Sequence, residues 1–238
     1  MFNDKLIFNF FIKNFTHNIS EVIGFVFDNK YFSLNSEFDI SRAEYNLIGR
    51  LRNGWNAIGI KRFLSGTYNK TEIEKFNNYV FTLELKNDSY CSKIFSSSLN
   101  TIRIISAWNN DNFIKIIAAV HRFGIKDDIV ADNFQSGGGT ALVDIKSGVL
   151  GELIYFKGKK RIITHKHPLT NMQILGVKIP KWKNICENLI KIHMQMPYLK
   201  YIAWDIAIIS GGDWVIIEGN HVSGLEAIQI HEPFKLPF

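Results

Sequence analysis

A short apolar segment near the C-terminus constrains the fold of this chain more than any other feature. Residues 204–220 read WDIAIISGGDWVIIEGN. Two glycines, Gly211 and Gly212, stand between two apolar runs, and this pattern predicts a β-hairpin with a two-residue turn. The predicted cross-strand pairs are Ser210 with Asp213, Ala207 with Ile216, and Asp205 with Glu218.

The pairing of two carboxylates on this hairpin predicts a metal site. Asp205 and Glu218 would face each other across the strands, where like charges destabilise a pair. Asn220 lies two residues beyond Glu218 and therefore points to the same face. A divalent cation would remove the repulsion, and an all-oxygen donor set suits Mg²⁺. The alternative is that both carboxylates lie on a solvated face. The neighbours expected on that face argue against it, since they are Ala207, Ile209, Trp214 and Ile216.

Composition excludes several classes of protein. The chain has 238 residues, of which 46% are hydrophobic and 21% are charged, as in ordinary globular proteins and unlike disordered ones. No window predicts a membrane-spanning helix, and residues 1–12 lack the features of a signal peptide. Cys91 and Cys186 form neither a metal pattern nor a disulfide framework, which favours a cytoplasmic location. The net charge of +6 is scattered except at residues 157–161, which resemble a hairpin tip, so a nucleic-acid partner is not expected.

The remaining patterns indicate an α+β fold. Ser41 and Glu44 form a capping-box pattern that predicts a helix over residues 41–53, and Pro180 is expected to begin a second helix. A short helix over residues 5–15 is a further expectation. Strands are predicted at residues 21–27, 57–63, 79–85, 101–108, 113–123, 141–145 and 151–156, with a turn at 109–112. Strands mixed with well-separated helices favour α+β over alternating βαβ units.

Several short motifs occur in order between residues 98 and 229. They are SLNTIRI (98–104), RFG (122–124), DN (132–133) before GGG (137–139), VD (143–144) before SG (147–148), HPLT (167–170), IPKW (179–182), WDIA (204–207) and EGN (218–220). Together they resemble the ATP-grasp superfamily. More specifically, the chain resembles the ATP-grasp proteins associated with sugar transfer and surface-polysaccharide loci, and more distantly the glutamate-adding ligases.

The resemblance implies two α+β lobes that hold ATP between them. Residues 1–86 would form the nucleotide-binding lobe, and residues 87–238 the lobe that binds metal and phosphate. Asp4 and Lys5 resemble the aspartate-lysine pair that opens the nucleotide-binding lobe of the family. We therefore expect the chain to begin there, without the substrate-side domain that precedes this lobe in other members.

The same resemblance implies roles for individual residues. Asp205, Glu218 and Asn220 would hold Mg²⁺ against the phosphates of ATP. Arg103 and Arg122, on adjacent hairpin strands, would present guanidinium groups to phosphate or to a substrate carboxylate, the alternative being surface salt bridges.

Expectations for nucleotide contacts rest on weaker matches. Lys61 is the candidate for contact with phosphate, and Glu84 with Leu85 for contact with adenine; ordinary charges on the solvated face of a strand are the alternative. Gly138, in a glycine triplet after Asn133, would bring backbone N–H groups to an anion, unless the triplet is a plain turn. His165 and His167 are expected to be surface or capping residues rather than substrate contacts.

The implied activity is a magnesium- and ATP-dependent ligation of a carboxylate to an amine through an acyl phosphate, in surface-polysaccharide biosynthesis. The expected ligands are ATP and a small carboxylate or sugar-linked substrate, with a partner chain or homodimer left open. Two alternatives remain at this stage. One is a kinase, and the other is a degenerate protein that binds nucleotide without turnover. The second alternative is suggested by the short phosphate-covering loop, of which only residues 65–67 remain.

Overall fold

The chain forms two compact units, Met1–Leu85 and Lys86–Phe238. A computed structural model describes residues 2–54, 58–109, 113–126 and 137–233. The boundary expected from the sequence, between residues 86 and 87, lies one residue further along the chain.

The first unit is a five-stranded antiparallel sheet with short helices. Its elements are α1 (Lys5–Ile12), β1 (Val22–Phe27), β2 (Lys30–Ser33), a 3-10 helix (Ile40–Arg42), β3 (Leu47–Leu51), β4 (Lys61–Phe63), α2 (Lys70–Glu74) and β5 (Tyr79–Leu83). The strand order is β2-β1-β5-β3-β4. The core on one side of the sheet includes Leu47, Ile73 and Phe81, all fully buried.

Asp4 and Lys5 attach the start of α1 to the end of β3. The Asp4 carboxylate caps the helix by accepting the backbone N–H groups of Leu6 and Ile7, and it also pairs with Arg52 at 2.7 Å. The Lys5 ammonium group donates to the carbonyl oxygen of Gly54 at 2.7 Å. Both residues therefore stabilise the fold of the first unit.

The helix predicted over residues 41–53 is wrong. Asp39, rather than Ser41, caps a single 3-10 turn, and Ala43 ends that turn in the left-handed region at φ 48°. The following residues form β3 and pair with β5, where Leu47 lies opposite Leu83. Pairing with a distant strand thus outweighs the local helical spacing of residues 41–53.

The second unit is a seven-stranded antiparallel sheet. Its elements are α3 (Ser89–Ser92), β6 (Thr101–Trp108), β7 (Ile114–Phe123), β8 (Gly139–Val143), β9 (Leu150–Lys157), β10 (Lys160–Thr164), α4 (Trp182–Met194), β11 (Tyr201–Ile209), β12 (Asp213–Asn220) and α5 (Glu226–Gln229). The strand order is β10-β9-β8-β7-β6-β11-β12. The predicted hairpins β6–β7 and β9–β10 are confirmed, and residues 110–112 of the first lie outside the described part of the chain.

Each face of this sheet is covered by a different helix. On one face, Trp204 donates its indole N–H to the Ser106 hydroxyl, which in turn bonds to His193 of α4, both at 2.8 Å. On the opposite face, Ala227 and Ile228 of α5 pack against the sheet. Among the described residues, no helix is long and apolar enough to cross a membrane. The face that carries α5 also carries the charged residues described next.

Candidate functional site

A charged row crosses the centre of the second sheet. Arg103 of β6 lies opposite Asp205 of β11, and Asp205 lies opposite Glu218 of β12. Directly opposed residues of antiparallel strands point to the same face, so these three side chains share one surface. Arg122 of β7 joins them, because the residue two positions before it, Val120, is the partner of Arg103.

Asp205 is the centre of a buried ion cluster. The guanidinium of Arg103 donates to both carboxylate oxygens, from Nε to Oδ1 at 2.8 Å and from Nη2 to Oδ2 at 2.7 Å. Arg122 Nη2 lies 3.1 Å from Oδ2. Only 8% of the Asp205 side chain is exposed, and 9% of that of Arg122. Arg103 and Arg122 are therefore not surface salt bridges, the alternative weighed from the sequence.

The cluster keeps Asp205 ionised. Burial alone raises the pKa of this carboxyl group, but the charges of Arg103 and Arg122 and their hydrogen bonds outweigh it and lower the pKa to about 2. Thr101 orients the second arginine, because its hydroxyl oxygen accepts the N–H of Arg122 Nε at 2.8 Å. Arg122 thus contacts Asp205 through Nη2 while Thr101 holds its Nε.

The hairpin that carries Glu218 and Asn220 differs from the predicted one near its turn. Ile209, not Ser210, pairs with Asp213, so the loop has three residues, with Gly211 and Gly212 at φ 91° and 75°. Ser210 instead donates its backbone N–H to the carbonyl oxygen of Lys86. The predicted pairs of Ser210 with Asp213 and of Ala207 with Ile216 are therefore wrong, and Ala207 pairs with Val215.

A β-bulge restores the predicted pairing at the site. The register shifts between Asp205 and Ile206, so that Ile206 pairs with Ile216 while Asp205 pairs with Glu218. The extra residue, Ile217, compensates for the extra residue in the loop. Asn220 follows Glu218 by two positions, opposite Ala203, and shares its face.

The donor atoms on this face are of the types that magnesium binds. Asp205 and Glu218 supply carboxylate oxygens and Asn220 supplies an amide oxygen, which are ligands that Mg²⁺ accepts. Asp205 is engaged by two arginines in the present arrangement. Within the described ranges, no group of three or more His, Cys, Asp or Glu side chains forms a metal site. The set proposed here has only two residues of those types, and its third is an asparagine.

Three of the residues expected to contact nucleotide lie in the first unit. Lys61 is the first residue of β4 and is exposed. Glu84 follows β5, and its carboxylate pairs with Arg62 at 2.7 Å and accepts from the Asn46 side chain at 2.8 Å. Its backbone N–H donates to the carbonyl oxygen of Asn46. Leu85, the next residue, is partly buried.

The remaining sequence-predicted residues belong to the second unit. Gly138 is buried immediately before β8, and Asn133 lies outside the described residues. His165 is exposed and pairs with Glu152, as expected of a surface histidine. His167 is buried; it bonds through Nε2 to the carbonyl oxygen of Gly124, while its Nδ1 accepts backbone N–H groups in the turn after it.

Two polar contacts near the cluster escaped the sequence analysis. Thr101 is part of the SLNTIRI motif and had no predicted role of its own, although strand alternation places it on the face of Arg103. Thr140 is the β8 partner of Arg122. Its hydroxyl oxygen lies 2.9 Å from Nε2 of His231. Burial and the charge of Arg161 lower the pKa of His231 to about 4. No pattern in the sequence pointed to His231.

The fold is shared with solved structures of ATP-grasp enzymes. N5-carboxyaminoimidazole synthetase from Staphylococcus aureus matches with a TM-score of 0.52 and 12% identity, over 94% of this chain and 45% of that one. L-amino acid ligase from Bacillus licheniformis matches with a TM-score of 0.53 and 9% identity, over 97% and 43%. The ATP-grasp ligase PsnB, solved with Mg and ADP, gives 0.53 and 9%, over 96% and 53%.

These likenesses define an ATP-grasp fold. The chain spans about half the length of the structures it matches. It belongs to the sugar-transfer associated ATP-grasp family, whose sequence model matches residues 56–234. No curated protein sequence matches it significantly. The fold class and the family predicted from the sequence are both confirmed.

Proposed function

We propose that this protein is an ATP-dependent ligase that joins a carboxylate to an amine through an acyl phosphate, in the biosynthesis of surface polysaccharide. One observation carries the proposal. In a chain of this family, two arginines and two carboxylates occupy one face of the second sheet, in register. The polysaccharide context rests on the family alone. The ATP requirement favours the cytoplasm as its location.

The proposed reaction has two steps. A carboxylate oxygen of the donor acid attacks the γ-phosphorus of ATP, and ADP leaves as the acyl phosphate forms. The amine nitrogen then attacks the acyl carbon and loses a proton while phosphate leaves. Such transfers depend on positioning and charge neutralisation rather than on a covalent protein intermediate.

The residues of the charged face have distinct roles in this proposal. Glu218, Asn220 and Asp205 would hold magnesium, which neutralises charge on the phosphate oxygens when it is bound. Arg103 and Arg122 would act as the catalytic arginines, each binding a phosphoryl oxygen or the substrate carboxylate through a planar fork. Both arginines are on strands inside the sheet, so their backbone positions are fixed before the ligand arrives.

The first unit and the glycine triplet would supply the remaining contacts with the nucleotide. Lys61 would bind phosphate, which its exposure permits. The backbone N–H of Glu84 is already used within the first unit, so we assign the adenine contact chiefly to the backbone of Leu85. Asn133 and Gly138 remain candidates for binding an anion before β8.

A second candidate function is nucleotide binding without turnover. The short segment after β4 is fixed to residues 43–46 by its own hydrogen bonds. The hydroxyl group of Ser65 donates to the carbonyl oxygen of Ala43 at 3.0 Å, and the backbone N–H of Gly66 donates to the same oxygen at 2.9 Å. A loop held in this way is poorly suited to closing over phosphates, which favours this candidate over a kinase.

Calorimetric titration tests the proposal directly. Wild-type protein, Glu218→Gln and a control, Glu187→Gln, would be titrated with a non-hydrolysable ATP analogue with and without Mg²⁺. Glu187 is on the surface of α4 and pairs only loosely with Lys183, at 3.9 Å. We expect magnesium-dependent binding that weakens at least tenfold in Glu218→Gln and is unchanged in the control. Absence of binding to folded wild-type protein would refute the proposal. Binding without release of ADP, in the presence of candidate acids and amines, would favour the second candidate.

A further inference from the structure

The ion cluster has a consequence for the order in which ligands bind. We propose that Arg103 and Arg122 block Asp205 as a metal ligand in the nucleotide-free protein, so that a divalent cation binds only together with an oligophosphate that takes over the two arginines. This inference rests on the proposed function, because it concerns the same magnesium-nucleotide site. The three metal-donor residues by themselves do not predict that the metal and the oligophosphate bind together.

The hydrogen-bonding capacity of Asp205 is nearly exhausted. An ionised carboxylate offers about four acceptor positions on its two oxygens. Arg103 occupies one on each oxygen, at 2.8 and 2.7 Å, and Arg122 occupies another on Oδ2, at 3.1 Å. At least three positions are therefore taken and at most one, on Oδ1, remains, so a metal ion could bind both oxygens of Asp205 only after an arginine moves.

Charge opposes the metal in the same way. The cluster of Asp205 with its two guanidinium groups carries a net charge of +1 and lies largely out of solvent. A divalent cation approaching it meets two positive groups at short range, where the screening of water is weak. With Glu218 in the adjacent strand the four groups sum to zero, so the face lacks the net negative charge that would attract a divalent cation.

An oligophosphate removes both obstacles at once. Guanidinium forks bind phosphate as well as they bind carboxylate, so Arg103 and Arg122 can exchange one anion for another. Asp205 then exchanges two guanidinium groups for the metal. No charge is left buried without a partner at the end of this exchange, which is the condition under which buried ions are tolerated. Metal alone cannot complete the exchange, because it takes away the carboxylate that both guanidinium groups share and brings no anion in its place.

Removing an arginine should therefore create a metal site that does not need nucleotide. The test measures Mn²⁺ binding from the spin-resonance signal of free Mn²⁺, with and without a non-hydrolysable ATP analogue. The proteins are wild type, Arg103→Gln, Arg103→Lys and the control Arg161→Gln. Arg161 donates to the carbonyl oxygen of Ile230 in the same unit. Glutamine keeps a donor for Asp205 but lacks the positive charge, whereas lysine keeps the charge but lacks the fork.

We expect wild type and Arg161→Gln to bind Mn²⁺ at least tenfold more tightly with the analogue than without it. Arg103→Gln should bind Mn²⁺ alone at least tenfold more tightly than wild type, and Arg103→Lys should lie between them. The inference is overturned if wild type binds Mn²⁺ equally well with and without the analogue, a result that leaves the proposed function intact. It is also overturned if folded Arg103→Gln gains no affinity for Mn²⁺.

Failure of the proposed function has a different signature, which is the absence of Mn²⁺ binding to wild type even with the analogue. Thermal unfolding of each variant shows whether it folds. If Arg103→Gln does not fold, the wild-type comparison and Arg103→Lys still decide the question, because both predictions stand without the glutamine variant.

Discussion

Arg103 and Asp205 stand opposite each other in neighbouring strands and are joined by two parallel hydrogen bonds of 2.8 and 2.7 Å. Replacing Asp205 with Asn leaves two guanidinium groups side by side with no anion between them. Breaking a buried ion cluster in this way costs about 3 to 5 kcal/mol. Urea unfolding of Asp205→Asn should therefore show a loss of that order.

The control for this substitution is Asp213→Asn. Asp213 also pairs with a cation, Lys181 at 3.0 Å, but its side chain is 73% exposed. Exposed pairs contribute about 1 kcal/mol or less. Equal losses for the two variants would mean that the cluster around Asp205 does not contribute to stability as a buried ion cluster does.

Acid sensitivity should depend on His121. This histidine is fully buried; its Nδ1 donates to the carbonyl oxygen of Arg122 at 3.2 Å, and its Nε2 accepts the hydroxyl of Tyr90 at 2.5 Å. Burial lowers its pKa from 6.5 to about 3, with a smaller contribution from the charge of Arg122. The unfolded chain takes up the proton near pH 6.5 and the folded chain only near pH 3. Stability therefore falls as the pH falls through that interval.

Replacing His121 with Gln should flatten this dependence. Between pH 7 and pH 4 the wild type should lose about 3 kcal/mol more stability than the variant. The measurement is the free energy of unfolding in urea at a series of pH values. His165→Gln is the control, because it removes an exposed histidine of the same unit. Parallel curves for wild type and His121→Gln would contradict the prediction.

Gly148 allows the turn before β9 to pack against Trp182. Gly148 has φ 73°, and a Cβ atom there would lie 2.5 Å from Cγ of Trp182. Gly176 has a similar φ of 84°, but a Cβ atom there would meet nothing within 4 Å. Gly176→Ala should cost about 1 kcal/mol for the left-handed backbone. Gly148→Ala should cost about 2 to 4 kcal/mol, because the clash adds to the same strain. Thermal melts of both variants measure the difference, and equal losses would show that Trp182 adjusts freely.

Ser106 is the middle of a buried chain of hydrogen bonds. It accepts the indole N–H of Trp204 and donates to Nδ1 of His193, whose Nε2 donates to the carbonyl oxygen of Leu199. Ser106→Ala leaves one buried donor and one buried acceptor without partners, at about 2 to 4 kcal/mol in total. Chemical unfolding checks this loss against Ser97→Ala, an exposed serine in the same unit. A loss below 1 kcal/mol would indicate that the groups find other partners.

The sequence predicted the pairing of Asp205 with Glu218 through two errors that cancel. A two-residue turn was assumed, whereas the loop has three residues, and the bulge at Ile217 was not foreseen. The loop takes its extra residue, Ser210, from the first strand, and the bulge adds Ile217 to the second, so the two shifts cancel at Asp205 after four shifted pairs. A bulge depends on how a strand packs, so apolar periodicity carries no signal for it. The hydrophobic pattern determines which residues of each strand face the polar side of the sheet. Keeping the polar residues of both strands on that side places Asp205 opposite Glu218.

The interactions of the arginines were less accessible from the sequence. The hairpin of β6 and β7 placed Arg103 and Arg122 on adjacent strands, but their register depends on a turn that periodicity does not define. Their burial against Asp205 requires β11 beside β6, a pairing between strands about a hundred residues apart. The false helix at residues 41–53 has the same origin, because local spacing cannot show that Leu47 will pair with a distant strand.

The position of β12 at the end of the seven-stranded sheet divides the site into two parts of unequal stiffness. Asp205, Arg103 and Arg122 are on strands with a neighbour on each side, so displacing the backbone at any of them breaks two ladders of hydrogen bonds, although their side chains can still exchange partners. Among the residues that the structure describes, Glu218 and Asn220 are on a strand with a single neighbour, next to an irregularity in its pairing. Asp205 and the two arginines are therefore held by more strand pairing than Glu218 and Asn220 are. In the proposed reaction, β12 is therefore the side of the site that can adjust when the γ-phosphate is transferred.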